Sequence, residues 1–150
     1  MSQSFAKIYI HLIFSTKNRE RCISHDVGIE LHGYMGGILN GLGCAPIEIN
    51  AEPDHVHLLF AMTRSETIGN VVGQLKQSSS DWLRNRDPQF RNFEWQAGYG
   101  AFSMSQSGVE EVRRYIRGQR QHHKNATFQD EFRAFLKRYE IEFDERHAWD

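Results

Sequence analysis

Residues 55–62 read His-Val-His-Leu-Leu-Phe-Ala-Met, and no other run constrains the fold as much. Its length and its apolar and aromatic content suit a strand. Alternate side chains of a strand share a face, so Val56, Leu58 and Phe60 form one apolar side and set the register. His55 and His57 then share the opposite side, roughly 6–7 Å apart at the backbone. Two imidazoles so spaced can converge on one cation, or can be a pair of half-buried, hydrogen-bonded histidines. The H-x-H pattern alone does not choose between them.

The remaining periodicities surround this strand with others. Ala6, Ile8, Ile10, Leu12 and Phe14 recur at period two, with Lys7, Tyr9 and His11 among the residues between them, which predicts a first strand with one buried face. Residues 46–50 form another strand-like run. With a turn at Pro53-Asp54 they pair with 55–62 as an antiparallel hairpin. Ser24 or Asp26 caps a helix carrying Leu31, Met35, Ile38, Leu39 and Leu42 and ending near Gly41 and Gly43. Thr63 and Glu66, at capping-box spacing, predict a second helix with Ile68, Val71, Val72, Leu75, Trp82 and Leu83 on its buried side, ending before Pro88. The stretch WQAGYGAFSMS, 95–105, is a loop leading into a strand. A third helix is expected over 109–124. A fourth is expected over 127–140, with Phe132, Phe135, Leu136 and Tyr139 as its apolar stripe. The order βαββαβαα predicts an α+β fold, an antiparallel sheet packed with helices.

Composition narrows the class of protein. A chain of 150 residues with 39% hydrophobic and 25% charged residues is one ordinary globular domain, not a disordered segment. A net charge of −1 argues against coating nucleic acid by bulk charge but leaves room for a local basic patch. The first residues lack a basic region followed by an apolar run, and no stretch approaches the ~18 apolar residues of a membrane span. Cys22 and Cys44 lack the paired spacing of metal or redox motifs, so reduced thiols in a cytoplasmic protein are expected.

The segment EEVRRYIRGQRQHH, 110–123, carries the second constellation. On a helical projection Val109, Val112 and Ile116 share one stripe, and Glu111, Tyr115, Gln119 and His122 line up beside it. A phenol so placed could be a nucleophile, and the Gln119 amide oxygen, one turn on, could join a cation as a neutral ligand. Tyr115 could equally be a packing residue with its hydroxyl at the surface. Arg113, Arg114, Arg117, Arg120 and Lys124 make this helix basic, which suits a phosphodiester backbone as well as a solvated face.

DHVHLLF, then WQAGYGAFSMS, then YIRGQRQHH, in that order and spacing, resembles the single-stranded-DNA transposases of the HUH superfamily with one catalytic tyrosine. These are the small insertion-sequence transposases and their relatives associated with repetitive extragenic palindromes. The resemblance runs from IYIHLIFSTKNR to EFDERHAWD and implies the RRM-like or ferredoxin-like core of the HUH nucleases. It implies that His55 and His57 are the metal-binding pair, Tyr115 the nucleophile and Gln119 a third metal ligand. Gly118 is a departure, standing where asparagine is expected.

The resemblance further implies a divalent ion, Mg2+ or Mn2+, and hairpin-bearing single-stranded DNA cut through a 5′-phosphotyrosine. It also implies a homodimer in which the tyrosine helix of one subunit serves the histidines of the other. Lys17, Arg19, Arg21, Arg84, Arg86, Arg113, Arg117 and Arg120 are the candidates for DNA contact. Tyr99, in GYG, could stack on a base or anchor its loop. A domesticated endonuclease acting on chromosomal hairpins, and a hairpin-binding protein without catalysis, are the competing readings.

Overall fold

The computed structural model describes residues 2–122 and 126–150, apart from the side chains of Arg120 and His122. Among these residues, β1 (Ile8–Ser15), β2 (Ala45–Glu52), β3 (His55–Met62) and β4 (Gly100–Met104) form an antiparallel sheet in the order β2-β3-β1-β4. The helices are α1 (His25–Gly41), α2 (Ile68–Arg86), α3 (Val109–Arg117), α4 (Gln119–His122) and α5 (Phe128–Arg138). With β1 and β3 central and α1 and α2 as the crossovers, this is the expected ferredoxin-like α+β core.

Alternation divides the sheet into two faces. Leu12 pairs with Leu58 and Phe14 with Val56, and this face packs against Leu31, Met35 and Leu39 of α1 and Val71, Leu75 and Leu83 of α2. The opposite face carries Ile13 of β1 and Phe102 of β4, covered by Phe128, Phe132 and Leu136 of α5. Burying each such side chain contributes about 1.5–3 kcal/mol. The two clusters thus hold helices to both faces, and the histidine face is a covered one.

Local signals explain most boundaries. The Ser24 hydroxyl accepts from the Val27 N–H at the start of α1, and Gly43, at φ 82°, takes the left-handed turn after its end. The Thr127 hydroxyl accepts from the Asp130 N–H to start α5. Two expectations need correction. The cap of α2 is Thr67, accepting from the Asn70 N–H, so the helix begins at Ile68 and the Thr63–Glu66 capping box is not used. The helix expected over 109–124 ends at Arg117, with Gly118 as its cap and α4 starting at Gln119. Glycine weakens a helix interior by about 1 kcal/mol, and the break falls where it stands. Residues 123–125, the end of that expected helix, lie outside the described residues.

Gly100 lets α5 approach the sheet. A Cβ there would lie 2.8 Å from the Phe132 ring and 2.9 Å from the Phe102 ring. Gly100→Ala is expected to push Phe132 outward and destabilise the fold by about 1–3 kcal/mol. Urea unfolding followed by circular dichroism measures this, and an unchanged midpoint would show that the ring yields without loss.

Candidate active site

The β1–β3 ladder builds the floor of the site. Ile13 lies opposite His57 and Ser15 opposite His55, so His11, His55 and His57 project from one face, and all three are buried. His11 Nε2 lies 2.8 Å from His57 Nδ1, and their rings stack with centroids 5.1 Å apart. Burial, then the neighbouring His57, holds the His11 imidazole well below its ordinary value against the opposing charge of Glu131. One hydrogen bond joins His11 Nε2 and His57 Nδ1, which leaves His57 Nε2 facing the site. His55 is oriented in the same way, with Nδ1 2.7 Å from Asp54 Oδ1. Burial would raise the Asp54 carboxyl, but the hydrogen bond and charge of His55, with help from Arg21, hold it below the usual range. Such partners fix the tautomer and direction of metal-ligating histidines.

Helix α5 closes the site from above. The Glu131 side chain is 4% exposed, and its Oε1 lies 2.6 Å from His57 Nε2. His55, His57 and Glu131 each offer one ligand atom, and these atoms lie within 4.8 Å of one another. Two imidazole nitrogens and a carboxylate oxygen are a donor set suited to divalent transition ions, so the residues present fit the expected metal. Manganese suits the imidazoles, whereas magnesium prefers oxygen ligands.

Tyr115 and Gln119 arrive from the interrupted helix. The Tyr115 ring centroid is 6.0 Å from that of His57 and 6.4 Å from that of His11, within the same chain. The tyrosine ring thus lies beside the histidine rings of its own chain. Burial first, then the charge of Glu131, pushes the Tyr115 phenol up, while a hydrogen bond with Gln119 opposes the shift. Gln119 is fully buried, and its Nε2 donates to the Tyr115 carbonyl over 3.4 Å. A cavity of about 260 Å³ opens beside Tyr115, bordered by His11, Glu111, Glu131, Phe135 and Arg138.

Most basic candidates for DNA contact are held in ion pairs. Glu48 of β2 accepts from Arg113 Nε at 3.2 Å and from Arg117 Nε at 2.7 Å, which ties α3 to the sheet edge. Lys17 pairs with Glu94 at 2.8 Å, Arg21 stands 4.0 Å from Asp54, and Arg86 pairs with Glu30. Arg84 donates to the Phe93 carbonyl and to Asp81, and Arg19 is half-buried. The Arg120 side chain lies outside the described residues. Tyr99 is exposed, with Lys76 Nζ 5.7 Å from its ring centre. Lys76 also donates to the carbonyls of Gln96, Ala97 and Gly98, which anchors that loop.

Sequence reasoning missed His11, Asp54 and Glu131. Strand parity puts His11 on the His57 face once β1 and β3 are neighbours. Asp54 was legible only as a turn residue. Glu131 carried a usable signal: it lies three residues after Phe128 and four before Phe135, a charge inside an apolar stripe.

The His11 shift has a definite sign. An unfolded histidine titrates near 6.5 and the folded one lower, so its contribution to stability is complete above pH ~6.5 and is lost as pH falls towards the folded value. His11→Gln keeps an amide that can donate to or accept from His57 and is expected to lose less stability than the wild type between pH 7 and pH 5. Urea midpoints of the metal-free proteins at both pH values test this, and equal slopes would clear His11 of the effect.

Comparison with known proteins bears on the family and the fold. The family model described as "Transposase IS200 like" matches residues 4–119. The ISDra2 transposase TnpA of Deinococcus radiodurans is 27% identical over 114 residues, covering 73% of this chain and 81% of the relative. A crystal structure from Deinococcus radiodurans, of a chain described as a transposase, superposes with a TM-score of 0.62 at 24% identity, covering 79% of this chain and 98% of the other. A REP-associated tyrosine transposase bound to a REP hairpin superposes with a TM-score of 0.59 at 11% identity, covering 82% and 74%. At these identities the two structures speak for the fold. Among the described residues no helix is long and apolar enough to cross a membrane. Most of the chain, including both histidines, Tyr115 and Gln119, lies within the matched segment, and the chain belongs to the IS200-like transposase family.

Proposed function

We propose that this transposase cuts and rejoins single-stranded DNA at hairpin-bearing element ends through a 5′-phosphotyrosine on Tyr115, with a divalent ion held by His55, His57 and Gln119. The observation that carries the reading is the meeting of Tyr115 with the buried histidine pair inside one chain. Hairpin DNA is the substrate class because a neighbour in fold is a tyrosine transposase bound to a REP hairpin.

A divalent ion, Mg2+ or Mn2+, supplies Lewis acidity at a non-bridging oxygen of the scissile phosphate. The chain's own residues do the rest. Tyr115 Oη attacks phosphorus in line, the P–O3′ bond breaks, the phenolic proton is lost and the 3′ oxygen leaves as a hydroxyl. The phosphodiester energy is kept in the tyrosyl ester, so a 3′-hydroxyl from another strand end can reverse the step without ATP. Burial and, after it, the charge of Glu131 favour the neutral phenol, so Tyr115 gives up its proton only as it attacks. His11 and Asp54 each hold the Nδ1 edge of one of the two imidazoles, which orients the rings in the site.

Arg113 and Arg117 reach DNA phosphates by exchanging Glu48 for them, and Lys17, Arg19, Arg21, Arg84, Arg86 and Arg120 extend the basic surface. Each phosphate so neutralised makes binding more salt-sensitive. A homodimer, with the tyrosine helix of one subunit serving the histidines of the other, belongs to the same proposal.

Incubation with labelled hairpin-bearing single-stranded DNA and manganese, followed by denaturing electrophoresis, tests the proposal. Tyr115→Phe is expected to abolish the covalent adduct and lower cleavage by at least about 10³-fold while leaving hairpin binding intact. Cleavage that survives Tyr115→Phe would make water the nucleophile.

A further inference from the structure

Glu131 lies beyond residue 119, the end of the family-matched segment, yet it points into the centre of the site. Burying a carboxylate is costly unless its charge is met. Its helix, α5, buries Phe128, Phe132 and Leu136 against the sheet, and Phe135 meets the His11 ring edge-on at 5.1 Å. Phe128 lies 4.9 Å from the His55 ring. Glu131 is thus an acid on the apolar side of a helix, where another apolar residue would have packed at no electrostatic cost. What stands opposite it is His57 Nε2, at 2.6 Å, with His55 beside it. His11 and Asp54 occupy the Nδ1 atoms of these two rings, so both turn Nε2 towards Glu131.

We infer that Glu131 is a carboxylate ligand of the ion bound by His55 and His57, and that the ion thereby fastens α5 across the active-site face of the sheet. The inference rests on the proposed metal site and extends it to a helix outside the matched segment. Two neutral imidazoles and one carboxylate offset one of the two positive charges and leave the other for a phosphate. Docking of α5 and metal affinity are then one coupled equilibrium: the ion stabilises the docked helix, and the docked helix tightens the ion by the same factor. Glu131, being anionic, contributes more to this affinity than Gln119, which offers a neutral amide oxygen.

Manganese chloride alone, titrated into the DNA-free full chain by calorimetry, tests the ligand. Glu131→Gln keeps the size and shape of the side chain and is expected to weaken manganese binding at least about tenfold, with His57→Ala as the reference for loss of the site. Hydrogen exchange of the wild type tests the fastening: manganese is expected to slow exchange of the amides of residues 128–138, and to do so less in Glu131→Gln. If His57→Ala loses manganese while Glu131→Gln binds it like the wild type, the inference is overturned and the proposed metal site stands. If both variants bind like the wild type, the metal site itself fails and the inference with it. Wild-type exchange in α5 that does not respond to manganese overturns the fastening even if the Glu131 variant does not fold.

Discussion

The pairing of β1 with β3 is the constraint on which the rest depends. Its register puts Leu12 against Leu58 and Phe14 against Val56 on one face, and His11, His55 and His57 on the other. A slip of one residue would turn every side chain of β1 to the wrong face, moving His11 into the apolar core and Leu12 into the site. Hydrophobic burial against α1 and α2 prevents that slip, so the core that holds the domain together also aims its chemistry.

Charge organises the other face. A buried site with three imidazoles, a carboxylate and a phenol is stable only if each group is held in a form its neighbours can satisfy. The structure does this in pairs: His11 with His57, Asp54 with His55, Glu131 with His57, and Gln119 with Tyr115. The shifts agree with this division. His11 is held neutral by burial, Asp54 is held ionised by its histidine, and the Tyr115 phenol is held protonated by burial and by Glu131.

Helices α3 and α5 reach the site by different means. Glu48 gathers Arg113 and Arg117 and ties α3 to β2, while α5 is held by aromatic packing over Gly100 and by the placement of Glu131. Exposed ion pairs such as these are worth little individually, about 0–1 kcal/mol. The arginines can therefore leave Glu48 for a phosphate at small cost, whereas displacing α5 would expose Phe128, Phe132 and Leu136.

Local periodicity determined the strands, the hairpin, the helix faces and the pairing of His55 with His57, because alternation and helical repeat are properties of a short stretch of backbone. The motif order determined the family, and Thr127, Ser24 and Gly43 marked helix ends through hydrogen bonds only a few residues long. The choice of Thr67 over Thr63 was already less legible, since both offer the same hydroxyl. Tertiary structure alone decided that β1 lies beside β3 and so brings His11 to His57, that Tyr115 meets the histidines of its own chain, and that an acid on the C-terminal helix faces them. Those contacts join residues 46 to 74 positions apart, and no local pattern encodes the distance between them.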